Sequence, residues 1–105
     1  MCKIVVIDTG VDIGNKYLKV RGIDGISIRR SKKNEMAYSV AHYSDDRLCI
    51  QDNIGHGTAV CGIIATHNPN AELFVVKLFD RDSLQADEEL LCFALEYILI
   101  YVDCN

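Results

Sequence analysis

Two short polar segments of this chain carry the residue types that acid–base chemistry needs. The first is Asp8, in Val5-Val6-Ile7-Asp8-Thr9-Gly10, where a run of β-branched residues stops at a carboxylate and a glycine. The second is His56, in Asp52-Asn53-Ile54-Gly55-His56-Gly57-Thr58, at the start of a stretch with helical apolar spacing. A neutral imidazole takes a proton on one ring nitrogen. A carboxylate bonded to the other nitrogen fixes the tautomer and stabilises the imidazolium that forms. Asp8 is the natural partner for His56. Taken alone, an Asp at a strand end is more often a cap or turn residue than a catalyst, so the pair carries the functional reading. Thr58 reads as a hydrogen-bonding residue that shapes the helix start, not as a nucleophile. His42 and His67 read as surface or turn histidines.

The elements around these residues must place them at one edge of a sheet. Lys3 to Ile7 reads as a buried parallel strand, which puts Asp8 at the carboxyl edge where α/β proteins build their sites. Gly25 to Arg30 alternates in strand fashion. The polar segment 31–52, with one apolar patch from Met36 to Val40, predicts a loop holding a hairpin. From Gly55 to Thr66, small Gly57, Ala59 and Gly62 interleave with Val60, Ile63 and Ile64, which predicts a buried helix. Its two glycines each weaken an isolated helix by up to about 1 kcal/mol relative to alanine, so close packing has to justify them. Asn68-Pro69-Asn70 makes a turn, and Leu73 to Phe79 a strand. Ser83 is placed to cap a last helix carrying Leu84, Leu91, Leu95 and Ile98 on its apolar stripe, with Asp87, Glu88 and Glu89 in its first turns as the dipole favours. Strand, strand, helix, strand, helix predicts an α/β fold, a mostly parallel sheet flanked by helices, and residues 1–105 suit a single unit of that kind.

With those motifs in place, the chain resembles the subtilisin-like serine proteases, the subtilase or peptidase S8 family. Residues 5–12 are similar to that family's aspartate motif, VVIDTGVD, and residues 52–62 to its histidine motif, DxxGHGTxVAG, with Cys61 standing where alanine is usual. The turn at Asn68-Pro69-Asn70 and the strand through Val76-Lys77-Leu78-Phe79 are similar to the family's turn and strand after the histidine helix. The resemblance spans nearly the whole chain apart from residues 31–50. The histidine and proline that commonly come after the aspartate motif are replaced here by Gly14-Asn15-Lys16. The resemblance implies the N-terminal half of a subtilisin-like fold and a peptide or protein substrate, with Asp8 and His56 as two members of a Ser-His-Asp triad. The family places its nucleophile motif beyond the position of Asn105. None of Ser27, Ser31, Ser39, Ser44 and Ser83 has the small-residue context of that motif. The catalytic serine is therefore expected from another chain or a C-terminal part, with self-association as the alternative contact for this chain, and the chain alone is expected to be inactive. The other function class open to it is a non-catalytic peptide- or protein-binding module derived from a subtilase.

Composition narrows the remaining choices. Half of the residues are hydrophobic and a quarter charged, which fits a packed core. A net charge of -4 gives no general attraction to nucleic acid or anionic lipid. The local cluster Arg29, Arg30, Lys32 and Lys33 reads as a solvated loop. Cys2, Cys49, Cys61, Cys92 and Cys104 show no paired spacing, which predicts reduced, buried thiols and no zinc site; no cofactor is implied. Without a secretory-type start or a long apolar span, a cytoplasmic protein with no membrane segment is expected. Ile7-Asp8-Thr9-Gly10 is also similar to the active-site loop of retroviral-type aspartic proteases. Those enzymes are almost entirely β, and neither the helical pattern from 83 to 100 nor the Gly55-His56-Gly57-Thr58 segment fits them.

Overall fold

A run of four apolar residues, Leu73-Phe74-Val75-Val76, has no polar face to turn toward water, and only a strand covered on both sides can hold it. In the computed structural model, which describes residues 3–19, 22–31, 33, 37–78 and 88–101, that run is the heart of a central strand and all four residues are buried. The elements in chain order are β1 (Lys3–Asp8), α1 (Lys16–Lys19), β2 (Ile23–Arg30), β3 (Tyr38–His42), a 3-10 turn (Arg47–Ile50), α2 (His56–His67), β4 (Glu72–Lys77) and α3 (Glu88–Tyr101). The described strands form one sheet in the order β1-β4-β2-β3. β4 pairs in parallel with β1 on one side and β2 on the other, and β3 adds antiparallel to β2. The fold is α/β, a mostly parallel sheet flanked by helices, as the sequence predicts.

Register brings the carboxyl ends of the parallel strands level, since Asp8 of β1 and Ser27 of β2 both lie opposite Lys77 of β4. The period-2 alternation of strands then sorts residues onto two faces. Val6, Leu73 and Val75 pack with Cys61 and Ala65 of α2 and with Val11, Leu18 and Ile50. Ile26, Ile28, Phe74 and Val76 pack with Leu90, Ala94 and Ile98 of α3. Among the described residues, no helix is long and apolar enough to cross a membrane.

Several expectations change in detail. The 31–52 segment does hold a hairpin strand, Tyr38–His42, paired with β2. The basic cluster is not one solvated loop: Arg29 and Arg30 end strand β2, where Ser39 and Tyr38 lie opposite them. The innermost face of α2 is made of small residues, Gly57, Cys61 and Ala65; of the apolar residues expected to bury the helix, Val60 and Ile64 are half-buried against the same core and Ile63 is 63% exposed. Small residues win the inner face because the helix lies close to the strands. Likewise α3 buries Leu90, Ala94 and Ile98, and leaves Leu95 exposed. Burial of the thiols holds for Cys61, whereas Cys49 is half-buried and Cys92 exposed. Cys2, Lys32, Met36, Phe79, Ser83, Leu84 and Cys104 lie outside the described residues.

Candidate active site

His56 opens helix α2 because Gly55 precedes it with φ 107°, a left-handed conformation that a side chain rarely adopts. Gly57 comes next because the helix start lies against the chain after β1: a β-carbon there would overlap the carbonyl oxygen of Gly10. With the helix held this close, His56 Nδ1 lies 2.8 Å from Asp8 Oδ1 and 2.9 Å from Oδ2. The two sequence candidates are thus brought together at the carboxyl end of β1. Asp8 Oδ1 also accepts the Thr9 N–H at 2.7 Å, which fixes the carboxylate's orientation. The Asp8 side chain is 13% exposed and that of His56 55%. With Nδ1–H donating to the carboxylate, Nε2 is the free acceptor of the ring, and among the described residues it has no hydrogen-bond partner.

The residue that organises this edge is Asp52. Its Oδ1 accepts from Thr9 Oγ1 at 2.9 Å, from the Ile54 N–H at 2.9 Å and from the Gly55 N–H at 2.8 Å. Its Oδ2 accepts from the Thr58 N–H at 2.9 Å and from Thr58 Oγ1 at 2.6 Å. Burial by itself would raise this pKa. The hydrogen bonds from Gly55, Thr58 and Ile54 outweigh it and hold the carboxyl far below the ordinary carboxylate range. The negative charge also sits at the positive end of α2 and satisfies donors that have no partner within the helix. Thr9 and Thr58 extend the network, Thr9 Oγ1 accepting from the Gly57 N–H at 2.9 Å and Thr58 Oγ1 from the Asp12 N–H at 2.8 Å. A single buried carboxylate therefore ties the end of β1 to the start of α2, the two segments that carry Asp8 and His56.

Below the pair, buried Lys77 donates through Nζ to the carbonyl of Gln51. The bridge between Val11 and Gln51, with Val11 N–H on the Ile50 carbonyl at 2.8 Å and Asp52 N–H on the Val11 carbonyl at 3.1 Å, aligns the two loops. Cys61 packs one turn beyond His56; burial, then the charges of Asp8 and Asp52, push its thiol up to about 11, which keeps it protonated and unreactive. Sequence reasoning named Thr58 as a shaping residue and missed the roles of Thr9, Asp52 and Lys77. For Asp52 a signal existed, a carboxylate two and three residues ahead of amides at a helix start, the spacing of an Asx turn. His42 and His67 stand apart from this edge; His42 Nε2 lies 3.0 Å from Tyr97 Oη. Among the described residues, no group of three or more His, Cys, Asp or Glu could hold a metal ion.

An α/β sheet with a carboxylate at a strand end, bonded to a histidine at a helix start, is built for acid–base work. The model of the subtilase family, Peptidase_S8, matches residues 2–90, most of the chain, and the chain belongs to that family. No curated protein and no solved structure matches it.

Proposed function

We propose that this chain supplies the aspartate and histidine of a subtilisin-like serine endopeptidase site, with the nucleophilic serine contributed from outside residues 1–105. The observation that carries this reading is the bond from His56 Nδ1 to the Asp8 carboxylate, with Nε2 left open. In that geometry Nε2 takes the proton of a serine hydroxyl as its oxygen attacks a peptide carbonyl. The imidazolium is stabilised by Asp8, and the proton passes on to the leaving amine as the acyl-enzyme forms. Water then repeats the sequence to release the acyl group. No serine among the described residues bonds to His56.

Activity-based labelling tests this. The chain is expected to take up no serine-directed fluorophosphonate when pure. Recovered from its native source by affinity capture, it is expected to bring down a serine-bearing polypeptide, or a longer form of itself, that is labelled. His56→Ala should abolish that labelling. Capture that yields no labelled serine, in material that binds peptides, would instead support the non-catalytic module. Robust turnover by the pure chain, lost in His56→Ala, would overturn the requirement for an outside serine.

A further inference from the structure

At the far end of β2 lies a cavity of about 360 Å³ lined by Arg29, Arg30, Ser31, Lys33 and Ser39. Among the described residues no carboxylate lines it, although the chain carries 15 acidic residues against 11 basic ones. Strand pairing sets Ser39 directly opposite Arg29, and the Ser31 N–H on the Ala37 carbonyl at 2.9 Å closes the hairpin beside them. Arg30 is already engaged, with Nη2 at 3.3 Å from Glu89 Oε2 and its guanidinium 5.3 Å from the centre of the Tyr38 ring. Arg29 and Lys33 differ: among the described residues neither has an ion pair or a side-chain hydrogen bond. Ser31 Oγ accepts the Lys33 N–H at 3.3 Å, which leaves its own hydroxyl proton to donate.

The cavity therefore offers a guanidinium, an ammonium and two hydroxyls as donors, with two positive charges that no carboxylate among the described residues offsets. A doubly charged anion with three strong acceptor oxygens matches both properties, and a phosphate monoester carries about -1.5 to -2 near neutral pH. We infer that this cavity binds a phosphate monoester dianion, held by the forked guanidinium of Arg29, the ammonium of Lys33 and the hydroxyls of Ser31 and Ser39. The cavity is at the carboxyl end of β2, the same sheet edge as Asp8, since Arg29 lies two residues beyond Ser27, which shares Lys77 with Asp8 as a register neighbour. Ligands of α/β sheets collect on that edge. The inference goes beyond the peptidase reading and does not depend on it.

The test is an NMR titration of the isotope-labelled full chain at physiological salt. The probes are inorganic phosphate, a short capped phosphoserine peptide, the same peptide unphosphorylated, and a single-stranded oligonucleotide. Saturable shifts are expected at the Ser31, Lys33 and Ser39 amides and at Arg29 Nε with the phosphorylated peptide, and none with its unphosphorylated form. Tighter binding of the peptide than of inorganic phosphate is expected; the free ion binding as tightly would overturn the monoester as the ligand. Arg29→Gln and Lys33→Gln, both at exposed positions, should each weaken binding about tenfold while leaving the rest of the spectrum unchanged. Lowering the pH from 7.5 to 5 protonates the phosphate, whose second pKa is about 6, and should weaken its binding. Shifts spread over all surface lysines, insensitivity to Arg29→Gln, or preference for the oligonucleotide would overturn the proposal.

Discussion

The helices on the two faces of the sheet both present a stripe at i, i+4 and i+8, yet different forces hold them. On α2 the stripe is Gly57, Cys61 and Ala65; on α3 it is Leu90, Ala94 and Ile98. The first stripe buries small residues, with Val60 and Ile64 half-buried beside it, and what sets the start of α2 is directional: the bonds of the Gly55 and Thr58 amides to Asp52 and of the Gly57 amide to Thr9, and the contact of Gly57 with Gly10. The second stripe buries large side chains, extended by a ring ladder. Tyr38 and Phe93 have centroids 4.5 Å apart, Phe93 and Tyr97 6.1 Å, and Tyr97 and Tyr101 4.6 Å. Apolar burial scales with area and tolerates small shifts, whereas a hydrogen-bonded carboxylate does not. The side on which His56 meets Asp8 is the side where hydrogen bonds to a buried carboxylate are added to the packing.

The largest effect expected from breaking this contrast is at Asp52. Asp52→Ala strands buried donors of Thr9, Gly55 and Thr58, and truncating one partner of such a network costs about 3–5 kcal/mol. Urea denaturation should show that loss. Asp52→Asn keeps the shape and one acceptor oxygen, and should lose less. The pH dependence has a definite sign. The folded-state pKa of Asp52 is lowered, so its contribution is complete above the unfolded carboxylate range near 3.8 and is lost as pH falls through and below that value. The wild-type chain should lose stability more steeply below about pH 4 than Asp52→Asn. Equal slopes would remove the carboxylate from its central place.

Next in size is Ile98→Ala on the opposite face, which empties a buried site of the α3 core and should cost about 2–4 kcal/mol. The comparison is sharpened by a second reading on the same sample. Nitrogen-detected spectra of the imidazole should report the same Nδ1–H tautomer for His56 as in the wild type, because among the described residues the α3 core cluster holds no residue of α2. A changed tautomer would mean that the two faces are mechanically coupled.

The two sides also differ in how much of them could be read from the sequence. Asp8, His56 and the strand and helix around each were legible because they sit at sharp changes of pattern, where a β-branched run or a helical period meets glycine. The facing of both helices was not. Periodicity assigns the largest apolar residues to the core, and this fails in part for α2, where closeness to the sheet gives the innermost positions to Gly57, Cys61 and Ala65, leaves Val60 and Ile64 half-buried and turns Ile63 outward. It fails by one position for α3, where Leu90 and Ala94 take the places expected for Leu91 and Leu95. Asp52 was visible as a letter in a motif, and its bonds to Ile54, Gly55 and Thr58 follow a local spacing, but its link to the end of β1 runs through Thr9, 43 residues earlier in the chain. No local rule reaches that far. Lys77 was hidden for the same reason, since its ammonium bonds to the carbonyl of Gln51, 26 residues earlier in the chain.

Gly57 and Gly62 form a matched pair of smaller effects within α2. Gly57→Ala forces the helix start away from Gly10 and should cost about 1–3 kcal/mol, with loss of the His56–Asp8 bond in the imidazole spectra. Gly62 has open space where its β-carbon would stand, so Gly62→Ala should stabilise the chain by about 0.5–1 kcal/mol through helix propensity alone. Thermal melts that moved in the same direction for both would contradict the close-approach account of Gly57.

The smallest change in stability is expected on the outer surface of α3, and there the informative reading is a different one. Leu99 is 83% exposed, and Leu95 lies one turn before it on the same stripe, also exposed. Neither contributes to the α3 core, so Leu95→Gln with Leu99→Gln should shift the stability by no more than about 0.5 kcal/mol. Exposed apolar side chains lined up along one helix face nevertheless favour contact between molecules, and glutamine removes that drive while retaining helix propensity. Sedimentation velocity over a concentration series should show the wild-type chain associating as concentration rises, and the double variant shifted toward the monomer at equal stability. This separates the two roles an apolar residue can have on α3. A variant that unfolds easily would place Leu95 and Leu99 in the core after all, and one that associates as before would direct the search for a contact surface to the edge of β1.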